Sequence, residues 1–292
     1  MKNLIFISAF TFLFNWTATA AGHISRDSSW TYVGNGGLNL SQVSLSNWAS
    51  GGENAVGFDV LLNYSADYKK NKHLWQNRIE MAYGLNQTET SGTKKTNDKL
   101  YFSSTYGYGM TKSLYLSALL NFNTQFAKGY DYKTEPRTYI SRFMSPGYLT
   151  TGLGLTWNPK NWITATFSAI SWRGTFVSSK ILSDEGSFGV DPGEHLFSEM
   201  GGNLKVEVKY EFLKNMTIYS RVDLFSNYLE DPQNVDVRWD VQLNMTVNKW
   251  FSANISTNLI YDNDTKIVQK DGSKGPRLQF KESLGVGFQV TF

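Results

Sequence analysis

From Val235 to Asn248 the chain alternates without a break. Val235, Val237, Trp239, Val241, Leu243, Met245 and Val247 are apolar, and every residue between them is polar. Successive side chains of a strand point to opposite faces, so this segment predicts a strand with one greasy and one wet face. On a helix the same apolar residues would be scattered around the whole circumference.

The pattern recurs along the chain. Leu114, Leu116, Ala118, Leu120, Phe122 and Phe126 alternate mostly with Ser117, Asn121, Asn123 and Gln125. Leu204, Val206, Val208, Tyr210 and Phe212 oppose Lys205, Glu207, Lys209 and Glu211. Met216, Ile218, Val222 and Leu224 oppose Thr217, Tyr219, Arg221 and Asp223. Val56, Phe58, Val60, Leu62, Tyr64 and Tyr68 oppose Asp59, Asn63 and Asp67. Looser versions cover 36–46, 73–86, 98–110, 148–157, 161–173, 250–262 and 277–292. That makes about twelve strands, an even number of the kind bacterial outer-membrane barrels use.

The connections support this reading. Short turns are expected at Lys70-Asn71-Lys72, Thr111-Lys112, Asn158-Pro159-Lys160, Leu213-Lys214-Asn215 and Asn248-Lys249. Longer loops are expected at 47–54, 87–97, 127–147, 174–199, 229–234 and 263–276. Short and long alternate, as periplasmic turns and extracellular loops do in outer-membrane barrels. Both termini then face the periplasm. Tyr68, Trp75, Trp157, Trp162, Phe212, Trp250 and Phe292 fall near the short turns or the C-terminus. Phe58, Tyr83, Phe126, Tyr148, Trp172, Tyr228 and Tyr261 fall near the long loops. Two aromatic girdles are the expected result. The alternative is a soluble sandwich or lipocalin-like barrel with the greasy face inside, for which twelve long amphipathic strands are too many.

The overall expectation is therefore an all-β chain, a transmembrane antiparallel up-and-down barrel. No stretch approaches 18 consecutive apolar residues, so no transmembrane helix is expected. The last strand alternates through Leu284, Val286, Phe288, Val290 and Phe292. Gly287, Val290 and Phe292 fit the C-terminal pattern read by barrel-assembly machinery, although Gly285 stands where a polar residue is usual.

The first residues read differently. Lys2, the apolar run Leu4 to Phe14 and the small-residue site Ala18-Thr19-Ala20 predict a cleaved signal peptide over 1–21. A membrane anchor is the alternative, and the run is short for one. Residues 22–35 are then a periplasmic segment, and 36–292 the barrel. Cysteine is absent, which excludes disulfides and thiolate metal sites. A net charge of +3, scattered along the chain, gives no reason to expect nucleic acid.

Several segments resemble a bacterial outer-membrane family catalogued as domain of unknown function 3078. They are Gly36-Gly37-Leu38-Asn39-Leu40-Ser41-Gln42, Asn47-Trp48-Ala49-Ser50-Gly51-Gly52-Glu53-Asn54, Asn123-Thr124-Gln125-Phe126, Met144-Ser145-Pro146-Gly147-Tyr148 and Ile260-Tyr261-Asp262. The resemblance implies an outer-membrane barrel of the Bacteroidetes type of Gram-negative cell. It transfers no catalytic residue.

Enzyme signals are weak. His23 falls near the cleavage site, His73 at a short turn and His195 in the longest loop, so no histidine is placed within the barrel wall beside a serine. His195 with Asp191 and Glu194 could bind a cation, the alternative being an ordinary solvated loop; Asp262, Asp264 and Asp271 could coordinate calcium, but their spacing matches no EF-hand loop. No P-loop or dinucleotide fingerprint is present. No catalytic residue, metal or cofactor is expected.

The wet face carries more information. Arg78, Glu80, Lys205, Glu207, Arg221, Asp223, Asp236, Arg238 and Asp240 are expected to line the lumen, together with Asp59, Asp67, Lys209 and Glu211. Opposite signs are mixed. One reading is a charged pore lining; the other is a set of ion pairs that fills the interior. A twelve-stranded barrel lies between the side-chain-filled and the open kinds. The leading expectation is a non-enzymatic, narrow passive channel for small polar solutes. The alternative is a closed structural or docking barrel whose loops meet another envelope protein. Expected partners are outer-membrane lipid and, during biogenesis, the barrel-assembly machinery.

Overall fold

The computed structural model describes residues 29–43, 54–88, 92–132, 136–248, 250–264, 266–268 and 274–292. The expected signal peptide, His23 and the Trp48 loop lie outside them. Twelve strands close into one antiparallel barrel. They are β1 (Trp30–Val43), β2 (Ala55–Lys70), β3 (His73–Thr88), β4 (Gly92–Gly109), β5 (Leu114–Thr124), β8 (Gly147–Lys160), β9 (Ile163–Phe176), β10 (Leu196–Leu213), β11 (Met216–Asn227), β12 (Val235–Thr246), β13 (Phe251–Tyr261) and β16 (Gln279–Thr291). Two small hairpins sit in the long connections, β6 (Gly129–Asp131) with β7 (Thr138–Ser141), and β14 (Lys266–Val268) with β15 (Lys274–Pro276). Around the ring the order is β1, β16, β13, β12, β11, β10, β9, β8, β5, β4, β3, β2. The barrel starts at Trp30, earlier than the expected residue 36, because Trp30 to Gly34 already pair with Tyr68 to Tyr64.

The greasy face points outward. Val56, Val60, Leu116, Leu153, Phe167, Trp239, Leu284 and Phe288 are all exposed. The wet face is buried, with Ser103, Asn121, Thr166, Lys205 and Arg221 inside. This polarity excludes the soluble alternative, which needs the reverse, and it suits a barrel surrounded by hydrocarbon. Among the described residues no helix is long and apolar enough to cross a membrane.

Outward-facing tryptophans carry an indole N–H that lipid cannot satisfy. A serine on the neighbouring strand accepts it in three places: Trp75 Nε1 to Ser104 Oγ at 2.9 Å, Trp172 to Ser198 at 2.6 Å and Trp239 to Ser220 at 3.0 Å. Near the short turns Trp30 stacks on Tyr32 at 5.7 Å, and Trp162 meets Tyr210 at 5.4 Å. Trp75 and Trp162 belong to the girdle expected near the short turns, and Trp172 to the one expected near the long loops.

Closure is made by β1 and β16, which pair from Asn35↔Thr291 to Asn39↔Gly287. Below that, Gly34 N–H donates to the Phe292 carbonyl at 2.7 Å, and Phe292 N–H returns to Gly34 at 2.9 Å. Gly287 is glycine for a steric reason. A Cβ there would lie 2.1 Å from the Leu38 carbonyl oxygen, which is backbone and cannot move aside. The hairpin turns use asparagine where the chain goes left-handed, Asn71 at φ 54° and Asn215 at φ 65°.

The long connections are more ordered than loops at 127–147 and 174–199 suggest. β9 runs to Phe176 and β10 begins at Leu196, so both strands extend into the expected loop. Between them lies a short helix, α1 (Lys180–Asp184). Val177, Leu182 and Val190 form a small apolar core, with Tyr139 from β7, Phe188 and Phe197 packed on it. Ser145 and Ser178 hydroxyls pair at 3.1 Å, and Ser145 Oγ accepts from Ser179 N–H at 2.9 Å. The two loops therefore fold into one cap. Gly189 of this cap lies against Asp264, beyond β13, and Phe197. The cap thus meets the segment that follows β13.

Candidate functional site

The lumen is the candidate site, and its middle is crossed by charge. Arg221 on β11 sends Nη1 to Glu80 Oε1 on β3 at 2.6 Å, and pairs through Nη2 with Asp240 on β12. Lys99 on β4 reaches Glu80 at 2.8 Å and Asp240 at 3.3 Å. β3 lies six strands from β11 whichever way the ring is followed, and β4 lies six strands from β12. The Arg221–Glu80 and Lys99–Asp240 pairs therefore span the full lumen. The Arg221 guanidinium also lies 3.9 Å from the Tyr101 ring centroid. Tyr219 hydroxyl donates to Glu207 at 3.1 Å, and Arg78 approaches Glu207 at 3.4 Å. Lys205 donates to Ser103 across four strands at 2.9 Å. Burial makes an uncompensated charge costly, and here each charge meets an opposite one.

A second layer lies toward the cap. Arg173 on β9 donates from Nε and Nη2 to Glu199 on β10, both at 2.5 Å. Its Nη2 also reaches Asp236 on β12 at 2.5 Å, and Asp264 at 3.8 Å. Glu199, Asp236 and Asp264 offer three oxygens within 4.8 Å of one another, a set that would suit a cation. The Arg173 guanidinium already sits among them. Burial, with Asp262, Glu199 and Asp236 nearby, pushes the Asp264 carboxyl up to about 6. Arg238 on β12 covers the Tyr148 ring of β8 at 4.1 Å. Asn203 donates to Asp223 at 2.5 Å.

The arc from β4 to β9 is packed with small hydroxyls. Ser117, Thr156 and Thr166 form a ladder at 2.8 and 3.0 Å, and Ser103 donates to Asn121 at 2.7 Å. Below the central charges the opposite arc is hollow. A cavity of about 300 Å³ lies at the short-turn end, between β1, β2, β16 and β11 to β13. Arg78, Glu80 and Tyr219 border it toward the charge layer.

All nine residues expected in the lumen fall on the inward register of their strands, alternate to the apolar residues that point outward. The structure gathers most of them into cross-lumen contacts. Lys99, Arg173 and Glu199 complete those contacts and were missing from the expected set. Lys99 was legible as the inward neighbour of Leu100. The hydrophobic pattern puts Arg173 at a strand end and Glu199 in a loop. Tyr101, Tyr148 and Tyr219 point inward as well, against the simple rule that aromatics face lipid. His73 opens β3 rather than lying in the turn, and its Nδ1 meets the Tyr106 hydroxyl at 2.6 Å. His195 Nδ1 meets the Val177 carbonyl at 2.7 Å and so ties the cap together. Asp271 lies outside the described residues, and Asp262 and Asp264 belong to the Arg173 surroundings instead. Gly287 faces inward at the seam, while Val290 and Phe292 are exposed on the outer face.

A closed twelve-stranded barrel with an apolar exterior and a polar, charged interior is an outer-membrane β-barrel. Residues 40–130 match the family model described as "Protein of unknown function (DUF3078)", and residues 188–288 match "Protein of unknown function, DUF481". The resemblance to the first family thus holds over the N-terminal strands, and the segments at 144–148 and 260–262 lie outside that match. No curated protein matches the chain. An outer membrane channel from Pseudomonas putida F1 is similar with a TM-score of 0.39 at 9% identity, over 89% of this chain and 95% of that one. The NanC porin gives 0.38 at 10% identity, over 88% and 98%. The translocator domain of autotransporter NalP from Neisseria meningitidis gives 0.38 at 8% identity, over 90% and 88%.

Proposed function

We propose that this is a non-enzymatic outer-membrane barrel whose lumen is sealed at rest, and which works through its two ends. The observation that carries this is the Arg221–Glu80 ion pair between opposite walls. Arg173 and Arg238 add further obstruction on the long-loop side. In the orientation we infer from loop lengths, the cap is extracellular and presents its surface to an envelope partner. The termini and the cavity face the periplasm. Outer-membrane lipid surrounds the barrel, and the C-terminal Gly287, Val290 and Phe292 serve its recognition by assembly machinery. Liposome swelling tests the reading. The wild-type barrel is expected to exclude small sugars and amino acids, and Glu80→Ala/Arg221→Ala is expected to admit them. Equal permeation by both would overturn the seal.

A second reading is a narrow passive channel for small polar solutes. It is favoured by the seal being made of side chains, which rearrange without moving the wall. On that reading Arg221, Arg238 and Asp240 set selectivity, and their charge reversal shifts the reversal potential.

A further inference from the structure

The cavity at the short-turn end has a wall chemistry that the seal does not use. Asn63, Gln242, Asn244 and Gln289 line it, and none has a side-chain hydrogen bond among the described residues. Each amide offers two donors and an acceptor. Lys209 also lines it, exposed and with no ion pair among the described residues. Among the described residues the only carboxylate in the wall is Glu80, and it is held by Arg221 and Lys99. Arg78 adds a second cation, shared with Glu207 at 3.4 Å. Asp67 interacts with both cations electrostatically but is not part of the cavity wall. The wall therefore offers unspent amides beside the ammonium of Lys209 and the guanidinium of Arg78. The volume, about 300 Å³, falls at the lower end of small-molecule pockets, roughly 300–1,000 Å³.

We propose that this cavity binds a small polyhydroxylated carboxylate. Hydroxyls alternately donate and accept, as primary amides do, so a hydroxylated body matches Asn63, Gln242, Asn244 and Gln289. The carboxylate pairs with Lys209, assisted by Arg78. A neutral polyol lacks the charge, and a simple carboxylate leaves the amides unused. The inference rests on the sealed-lumen reading only in making the cavity a blind pocket and not a passage.

The test is calorimetric titration of the refolded mature barrel in detergent with D-gluconate, D-glucose and acetate. Folding of every variant is checked by heat-modifiable mobility. Gluconate is expected to bind one-to-one. Lys209→Gln, an exposed position, is expected to weaken it about tenfold, as loss of a charge-assisted contact does. Gln242→Ala/Asn244→Ala is expected to weaken gluconate and leave acetate unchanged. Glucose and acetate are expected to bind more weakly than gluconate. Absence of gluconate binding, equal binding of acetate, or indifference to Lys209→Gln would each overturn the site. Conductance reads the seal separately. A conducting barrel that still binds gluconate would sink the sealed reading and keep the site, and a silent barrel without binding would do the reverse.

Discussion

Arg221 and Glu80 stand on opposite walls of the barrel and are joined by a 2.6 Å ion pair. The interaction is possible because both strands place a long charged side chain at the same height, pointing inward. Removing one partner of a buried pair strands the other. Arg221→Ala leaves Lys99 as the cation shared by Glu80 and Asp240, and is expected to cost about 3 kcal/mol, the lower end for a broken buried pair. Urea-induced unfolding in detergent or lipid checks it. An unchanged midpoint would mean that the pair is solvated.

Gly287 governs closure. Gly287→Ala places a methyl against the Leu38 carbonyl, where no side chain can yield. The variant is expected to lose the heat-modifiable folded band, whereas Gly36→Ala, with open space around its Cβ position, is expected to keep it. Equal folding of the two would remove the steric argument.

Asp264 makes the mouth pH-sensitive. Its carboxyl titrates at about 6, above the ordinary 3.8, so the folded state holds this proton more tightly than the unfolded one. The stabilisation it contributes is complete below about 3.8 and is lost as pH rises through about 6. Asp264→Asn keeps a neutral group at every pH. The variant is expected to melt a few degrees higher than wild type at pH 7.5, with the difference shrinking as pH falls and gone once it is well below 3.8. A pH-independent difference would contradict the assignment.

Ser220 is the hydroxyl that interrupts the apolar face of β11, and it accepts the Trp239 indole N–H at 3.0 Å. Ser220→Ala leaves that donor unpaired in lipid and is expected to cost about 1–2 kcal/mol. Trp239→Phe in the same background is expected to abolish the Ser220 effect in a double-mutant cycle. An additive pair would show that the hydrogen bond is not worth keeping.

Serines 104, 198 and 220 show where pattern reading stops. Strand number, order and facing were legible because hydrocarbon outside and polar groups inside impose a period of two on every strand. A serine on the greasy face breaks that period, and only the neighbouring strand's tryptophan explains it. The lumen charges were legible as an inward set, from Arg78 to Asp240. Their pairing was not, since Glu80 and Arg221 are separated by 141 positions in sequence and meet only when the ring closes. The same applies to the cap, where Leu182, Val177 and Val190 carry no periodic signal. The cavity was hidden for another reason, because hollow space depends on which inward residues are short on several strands at once.

The most direct measurement is single-channel recording of the refolded wild-type barrel in a planar bilayer, beside Glu80→Ala/Arg221→Ala. A sealed lumen predicts a silent wild type and a variant that conducts in steps. Stable ohmic steps from the wild type, altered by charge reversal at Arg221 or Arg238, would contradict the seal and make the barrel a channel.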